Sequence, residues 1–290
     1  MTDRAHFILF RVSMGLYLFV HFLGLLPYAG ELFSAEGVLR DPGLNANLGF
    51  FGPVADLLAS PGAAKALVAV LSGLALAFAA GFWRRGVALA LWAGWAYLLA
   101  RNNGILNPGI PYIGLVLLLC ALVPIGEGRA LGTKRAETWS MPREIMVVAW
   151  VALAAGYTFS GYTKLISPNW LNGNAMHLML DNPLARGQGV IALLPLWVFS
   201  LATWGTIALE LAALPMAAHT RTRKWIWLAL TAMHVGVLLT IGFADLTFGM
   251  LVTHLFVANP KWLPKIPSCR GSSTYDKPPR TAVVSLSKRS

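Results

Sequence analysis

Long apolar runs, separated by short basic clusters, constrain this chain more than any other feature. Several runs approach or exceed the roughly 18–20 residues that a helix needs to cross a bilayer. The 290 residues are 57% hydrophobic and only 12% charged, whereas soluble domains carry roughly 25% charged residues. The sequence therefore predicts an all-α polytopic membrane protein without a separate soluble domain.

The apolar runs divide into about eight predicted transmembrane helices. Their approximate bounds are residues 7–26, 63–82, 86–100, 110–123, 145–164, 194–218, 225–243 and 246–257. In the loop after the fifth, the stretch from Trp170 to Leu178 is predicted to form a short interfacial or re-entrant helix. Residues 1–262 are thus expected to form the transmembrane domain. Residues 263–290, rich in Pro, Ser, Lys and Arg, are expected to be a disordered cytoplasmic tail.

The net charge of +11 is distributed as membrane topology requires. Arg84 with Arg85, residues 129–143 and residues 221–224 lie in alternate loops, and the opposite loops are acidic or nearly uncharged. The positive-inside rule places both termini in the cytoplasm, in what we expect to be a bacterial inner membrane, and Lys164 at the outer face. Since topology accounts for the basic residues, the expected partner is the lipid bilayer, and nucleic acid is not expected.

Charged groups within a span need a partner or a role, because each costs about 2.5–3.5 kcal/mol on insertion. Arg11 and Glu210 are both placed toward the inner side and could pair with each other, or Glu210 could handle protons. His234 and His254 lie near mid-depth on adjoining spans, where they could relay protons, bind a metal, or be hydrogen-bonded core residues. No metal is expected, because no cysteine or carboxylate stands at ligand spacing.

Lys164 closes the fifth apolar run, where an amine is either an interfacial anchor or a chemical group. Gly161 permits close approach of another helix. Tyr157, Ser160 and Tyr162 supply hydroxyls within one or two turns. A dry pocket penalises the charged form of a lysine, so a neutral amine becomes available there as a base.

The residues around Lys164 resemble the motif of a known family. Gly161-x-x-Lys164-Leu165, followed by Trp170-x-x-Gly173-x-x-Met176, is similar to the central motif of the horizontally transferred transmembrane (HTTM) family. The membrane domain of vitamin K-dependent gamma-carboxylase belongs to that family. Other similar stretches are Arg11-x-x-x-Gly15, Asn102-Asn103, Leu209-Glu210-Leu211 and the run from His234 through Ile241-Gly242-Phe243 to Met250.

The resemblance implies a helical membrane domain whose site opens to the non-cytoplasmic side. In the carboxylase, a carbon–carbon lyase, the matching lysine is viewed as the base that deprotonates reduced vitamin K. Oxygen then converts the quinol into a strong base that removes a glutamate γ-proton, and carbon dioxide adds there. By this resemblance Lys164 is the candidate catalytic base, and reduced vitamin K or menaquinone is the candidate cofactor. The residues expected to shape the cofactor pocket are Asn102, Asn103, Tyr162, Trp170 and His234.

Two features depart from the family pattern. The carboxylase has a histidine directly after the Asn pair, where this chain has Gly104. It also has a large C-terminal domain that holds the propeptide of its substrate, where only the short basic tail follows here. A peptide or protein substrate on the non-cytoplasmic side remains an expectation.

Two other classes of function are considered. The first is a non-catalytic membrane protein that handles or exports a small peptide or lipid partner, with Lys164 as an anchor or lipid-phosphate contact. The second is a transporter, which is less favoured because the sequence has no repeated halves and no matched pair of broken helices.

Overall fold

The computed structural model describes residues 4–128, 136, 138–186, 188–191 and 193–263. Within these ranges the chain is all-helical, as predicted, and contains no strand. The α-helices are α1 (Arg4–Leu25), α2 (Ala29–Phe33), α3 (Pro53–Leu57), α4 (Pro61–Ala80), α5 (Arg84–Arg101), α6 (Ile110–Leu122), α7 (Arg143–Lys164), α8 (Pro168–Leu171), α9 (Ala175–Leu180), α10 (Gln188–Ile191), α11 (Leu196–Leu211), α12 (Ala213–Ala218), α13 (Arg223–Thr240) and α14 (Ala244–Val257). Short 3₁₀ helices cover Leu26–Tyr28, Pro42–Leu44, Ala46–Phe51, Asn103–Ile105 and Pro260–Trp262.

Fewer helices reach membrane-spanning length than the eight predicted. Among the described residues, three helical segments are long and apolar enough to cross a bilayer: Arg4–Phe33, Pro61–Ala80 and Arg143–Lys164. The physical reason is that helix breaks and charges interrupt the other apolar runs. The sixth run breaks at Ala212, between α11 and α12. Helices α6 and α14 have only 13 and 14 residues, and α5 begins and ends with arginine.

The helices pack as two groups, which are joined by α14 and by the contact of α6 with α7. In one group α1 packs along α4, and α5 lies between α4 and α6. In the other, α7 packs against α11 and α12. Helix α14 contacts α1 and α6 on one side and α7 and α13 on the other. The fold therefore places polar groups of α7, α11, α13 and α14 next to one another.

Small residues allow the closest helix contacts in this packing. At Gly15 of α1, an added Cβ atom would lie 2.6 Å from Cβ of Ala79 and 2.7 Å from the carbonyl oxygen of Ala75. Such a contact is only possible without a side chain, as at other close helix crossings in membranes. Helix α4 itself begins with an N-cap, because the hydroxyl of Ser60 accepts from the backbone N–H of Ala63 at 3.1 Å.

Arg11 does not pair with Glu210, contrary to one possibility raised by the sequence. Its Nη1 atom lies 3.2 Å from Oε1 of Glu127, in the segment after α6. Nε of Arg84, at the start of α5, lies 2.5 Å from the same oxygen. All three side chains are buried. Arg11 and Glu210 belong to different helix groups. Arg11 therefore forms its ion pair with the nearer carboxylate, that of Glu127.

Two regions named by the sequence interpretation lie outside the described residues. They are residues 264–290, which make up all but the first residue of the predicted tail, and residues 129–135 of the basic loop.

Candidate functional site

Lys164 is the last residue of α7, and its amine is held in a partly buried ion pair. Its Nζ atom donates to Oε2 of Glu210 at 2.7 Å and to Oγ of Ser160 at 2.7 Å. The side chain of Lys164 is 17% exposed and that of Glu210 is 6% exposed. Helix periodicity explains part of this geometry, because Ser160 stands one turn before Lys164 on the same face.

The absence of a side chain at Gly161 allows α11 to approach α7 at this level. An added Cβ atom at Gly161 would lie 3.0 Å from both Cβ of Glu210 and the backbone nitrogen of Leu211. Gly161 is buried in this contact, so the predicted role of this glycine in close helix approach is confirmed. The carboxylate of Glu210 thereby comes within reach of a lysine at the end of the neighbouring helix.

Thr158 stabilises the break that follows Glu210. Its Oγ1 atom donates to the carbonyl oxygen of Glu210 at 3.2 Å and accepts from the backbone N–H of Leu214 at 3.1 Å. These are two backbone groups on either side of Ala212, where α11 gives way to α12. A partly buried side-chain hydroxyl thus pairs two backbone groups beside the helix break, which would otherwise lack partners.

The segment after α7 folds back so that Trp170 covers the amine. Nζ of Lys164 lies 4.9 Å from the centroid of the Trp170 ring, within cation–π range. The turn is fixed against α11 by two hydrogen bonds: Nε1 of Trp204 donates to the carbonyl of Leu171 at 3.0 Å, and the N–H of Met176 donates to Oγ1 of Thr203 at 3.0 Å. Where the sequence predicted one short helix over Trp170 to Leu178, the structure has two, α8 and α9, separated by residues 172–174.

The arrangement around Lys164 can hold or move one proton. The ammonium and carboxylate are joined by a single short hydrogen bond, so transfer of one proton would give a neutral amine and a neutral acid. Burial disfavours two separated charges more than it disfavours this neutral pair. The site therefore combines a candidate base with an adjacent carboxylate that can receive its proton.

His234 and His254 lie in a second buried cluster, with Tyr157 of α7. The Tyr157 hydroxyl lies 2.6 Å from Nε2 of His234 and 3.4 Å from Nε2 of His254. Nδ1 of His254 donates to the carbonyl of Met250 at 2.7 Å, which fixes its tautomer. Within the described ranges no group of three His, Cys, Asp or Glu side chains could hold a metal ion. The cluster is a hydrogen-bonded chain across three helices.

Only one of the five residues expected at a cofactor pocket contacts Lys164, namely Trp170. Asn102 lies at the end of α5, where its Nδ2 atom donates to the carbonyl of Leu32 and its Oδ1 atom accepts from the N–H of Gly104. Asn103 beside it is exposed.

The other two expected pocket residues also lie apart from the amine. Tyr162 is 61% exposed, and His234 binds Tyr157. The structure therefore brings together Lys164 and Trp170 and leaves the other four residues elsewhere.

Sequence reasoning did not pair His21 with Asp245, although both were visible as polar groups within or beside apolar runs. Nδ1 of His21 lies 2.6 Å from Oδ1 of Asp245, which stands in the first turn of α14. It also did not pair Lys164 with Glu210. Because these two side chains are in contact, the expectations that Lys164 lies at the outer face and Glu210 toward the inner side cannot both hold. The available signal was the cost of leaving ionisable groups unpaired within spans, which requires partners without identifying them.

Comparisons with known proteins identify no family for this chain. No protein-family model matches it, and searches of the curated proteins and the solved structures give no significant match. The functional interpretation therefore depends on the geometry of the described residues.

Proposed function

We propose that this chain is an HTTM-like integral membrane enzyme that carries out quinol-dependent, carboxylase-like chemistry, with Lys164 as the catalytic base. The observation that carries this proposal is the contact of Nζ of Lys164 with Glu210 at 2.7 Å beneath the ring of Trp170. An amine, a proton-accepting carboxylate and an aromatic surface are thus in contact at the end of one helix. The proposed substrate is a glutamate side chain of a peptide or protein on the non-cytoplasmic side.

The proposal includes eight transmembrane passes, with both termini in the cytoplasm of a bacterial cell and the chain in its inner membrane. The passes are α1, α4, α5, α6, α7, α11 with α12, α13 and α14. Arginines at the starts of α5 and α13 support this orientation. Helices shorter than the bilayer thickness are accommodated by local thinning of the membrane.

Orientation can be tested by labelling single cysteines with a membrane-impermeant maleimide in intact cells. The background carries Cys120→Ser and Cys269→Ser. Exposed Asn169 is expected on the outer side and exposed Arg221 on the inner side. Asn169→Cys should be labelled in intact cells and Arg221→Cys only after permeabilisation. The reverse pattern would overturn the proposed topology.

Lys164 and Trp170 fit a quinol, because an amine can bind a ring hydroxyl and an indole face can contact an aromatic ring. The Lys164 side chain is 17% exposed, so this end of α7 remains accessible. The surface formed by Lys164 and Trp170 is not contacted by Asn102, Asn103, Tyr162 or His234. We therefore do not propose that these four residues bind the quinol. When bound, a quinol would supply the acidic hydroxyl and, with oxygen, the strong base for carboxylation.

The protein side chains would prepare the base in two steps. One proton first moves from Nζ of Lys164 to Oε2 of Glu210, which frees a lone pair on the amine. The amine then accepts a proton from an acidic hydroxyl placed beside it. The ring of Trp170 stabilises the ammonium that results. Ser160 keeps the amine in position by accepting one of its hydrogen bonds.

A second candidate function follows from the number of contacts that the amine of Lys164 makes within the protein. Ser160, Glu210 and Trp170 all contact Nζ, as in a structural clamp between α7, α8 and α11. In that case the chain would be a non-catalytic membrane protein that handles or exports a small peptide or lipid partner. Replacement of Lys164 by arginine separates the two, since arginine keeps the charge but cannot act as a base.

The test measures labelled bicarbonate incorporated into peptide by the full chain in lipid nanodiscs. Reduced vitamin K or menaquinone and oxygen are supplied, and quinol-dependent oxygen uptake is followed in parallel because it requires no peptide. Wild-type protein should show both signals, Lys164→Met and Lys164→Arg should show neither, and Glu210→Gln should lose most of each. Lys65→Ala is the matched control, because it removes an exposed lysine of α4. Absence of both signals in the wild type would overturn the enzymatic proposal.

A further inference from the structure

A third polar cluster, remote in sequence from Lys164, joins α1 to the start of α14. In addition to His21, the carboxylate of Asp245 binds the hydroxyl of Tyr17 at 3.1 Å and Nδ2 of Asn107 at 2.9 Å. Asn107 is itself fixed, since its Oδ1 atom accepts from the backbone N–H of Gly109. Three donors thus hold this carboxylate in one orientation toward His21.

This arrangement leaves the second nitrogen of His21 available. A carboxylate only accepts hydrogen bonds, so Nδ1 of His21 carries the hydrogen and Nε2 of the neutral ring is an acceptor. Among the described residues Nε2 has no hydrogen-bond partner, and the side chain is 8% exposed. A carboxylate behind a histidine fixes the orientation of its ring. A buried polar atom without a partner requires an explanation.

A second unpartnered polar atom lies beside it. The Trp95 ring centroid is 4.9 Å from that of His21, and Trp95 is 2% exposed. Its Nε1 atom also has no hydrogen-bond partner within the described part of the chain. Trp95 lines a cavity of about 250 Å³ between α5 and α6, whose other walls include Trp92, Leu99 and Ile110. One buried donor therefore belongs to the wall of an apolar, aromatic cavity, and one buried acceptor belongs to His21, which contacts that wall through Trp95.

We propose that this cavity binds a single-ring phenol drawn from the bilayer, with its hydroxyl between His21 and Trp95. The hydroxyl donates to Nε2 of His21 and accepts from Nε1–H of Trp95, which satisfies both atoms at once. The volume selects a small ligand, because sites for drug-sized molecules are about 300–1,000 Å³. An acyl chain would fill the space but would leave both nitrogens without partners. The site does not use Lys164 and does not rest on the proposed function.

The experiment uses full-length protein in nanodiscs, with ¹⁵N-labelled histidine, titrated with 4-bromophenol and with 4-bromotoluene. The two probes have nearly the same shape, but only the phenol has a hydroxyl. The phenol should shift the His21 Nε2 resonance and bind about tenfold more tightly than the toluene, as expected for roughly one net hydrogen bond. The His21 resonance is identified by its loss in His21→Gln.

Two variants test the donor. Trp95→Phe keeps an aromatic wall but removes the N–H, and should reduce the preference for phenol to about twofold or less. Trp225→Phe is the matched control, because Trp225 is 63% exposed and does not line the cavity, and should leave the preference unchanged. Asp245→Asn, which weakens the orientation of His21, should also reduce it if Trp95→Phe fails to fold. An unshifted His21 resonance, or equal affinity for both probes in the wild type, would overturn the proposal.

Discussion

Nζ of Lys164 lies 2.7 Å from Oε2 of Glu210, so the last residue of α7 is tied to the last turn of α11. This contact joins two helices whose paired residues are 46 positions apart. Because the carboxylate is 6% exposed, its charge depends on the lysine for compensation. The ion pair is therefore expected to stabilise the fold whether or not Lys164 acts in catalysis.

Removing either partner of this pair should destabilise the protein more than removing both. Lys164→Met and Glu210→Gln should each lower the free energy of unfolding by about 3 kcal/mol, since the first leaves a buried carboxylate and the second a partly buried ammonium without its counter-charge. The double variant should lose less than either single variant, because it leaves no charge without its partner. Unfolding by denaturant titration in mixed micelles measures all three values. Additive losses would show that the two side chains do not interact energetically.

Gly161→Ala should separate α7 from α11 and weaken the same ion pair. The added methyl group would lie 3.0 Å from backbone and side-chain atoms of α11, and overpacking of this kind costs about 1–3 kcal/mol. Gly205→Ala on α11 is the control, because no atom lies within 4 Å of its added Cβ. That change should leave stability equal or slightly higher, as alanine is the better helix former. Equal effects at the two glycines would contradict the close contact.

Glu127→Gln should be the most damaging neutral substitution in the cluster of Arg11, Glu127 and Arg84. It leaves two buried arginines facing each other without a counter-charge, and loss of one partner from a buried pair costs about 3–5 kcal/mol. Arg11→Gln should cost less, since Arg84 and Glu127 remain paired. Comparison of the two unfolding free energies in the same micelles checks this order. A larger loss for Arg11→Gln would show that its hydrogen bonds to the backbone carbonyls of Ala79 and Gly128 contribute more than the ion pair.

The sequence predicted the helical class and the local geometry near Lys164, because both depend on nearby residues. Trp170 lies six positions after the lysine, and Gly161 lies one turn before it. Apolar runs and turn residues therefore sufficed to predict the short helix and the close approach. The same reasoning could not identify Glu210 as the partner, since that requires knowing that α7 packs against α11.

Sequence reasoning failed mainly to predict side-chain partners that are distant in the chain and the positions of helix breaks. Arg11 binds Glu127, 116 positions away, rather than Glu210. Hydropathy counts apolar residues but does not show where backbone hydrogen bonding is interrupted, as it is between Leu214 N–H and the Glu210 carbonyl, one residue before Pro215. The predicted number of full-length spans therefore exceeded the three segments that qualify within the described residues. Side-chain pairing across helices is a property of packing and is not encoded in local periodicity.

Tyr157→Phe should disrupt the histidine cluster while Tyr162→Phe should not. The hydroxyl of Tyr157 lies between two buried imidazoles, and its removal leaves both Nε2 atoms without that partner. A buried polar group left unsatisfied costs about 1–3 kcal/mol, so the unfolding free energy should fall by that amount. The ¹⁵N resonances of His234 and His254 should shift together in the same variant.

Tyr162 is 61% exposed, and its hydroxyl should contribute less than about 0.5 kcal/mol. A larger loss at Tyr162 than at Tyr157 would contradict the assigned cluster, because it would place the important hydroxyl on the exposed face of α7.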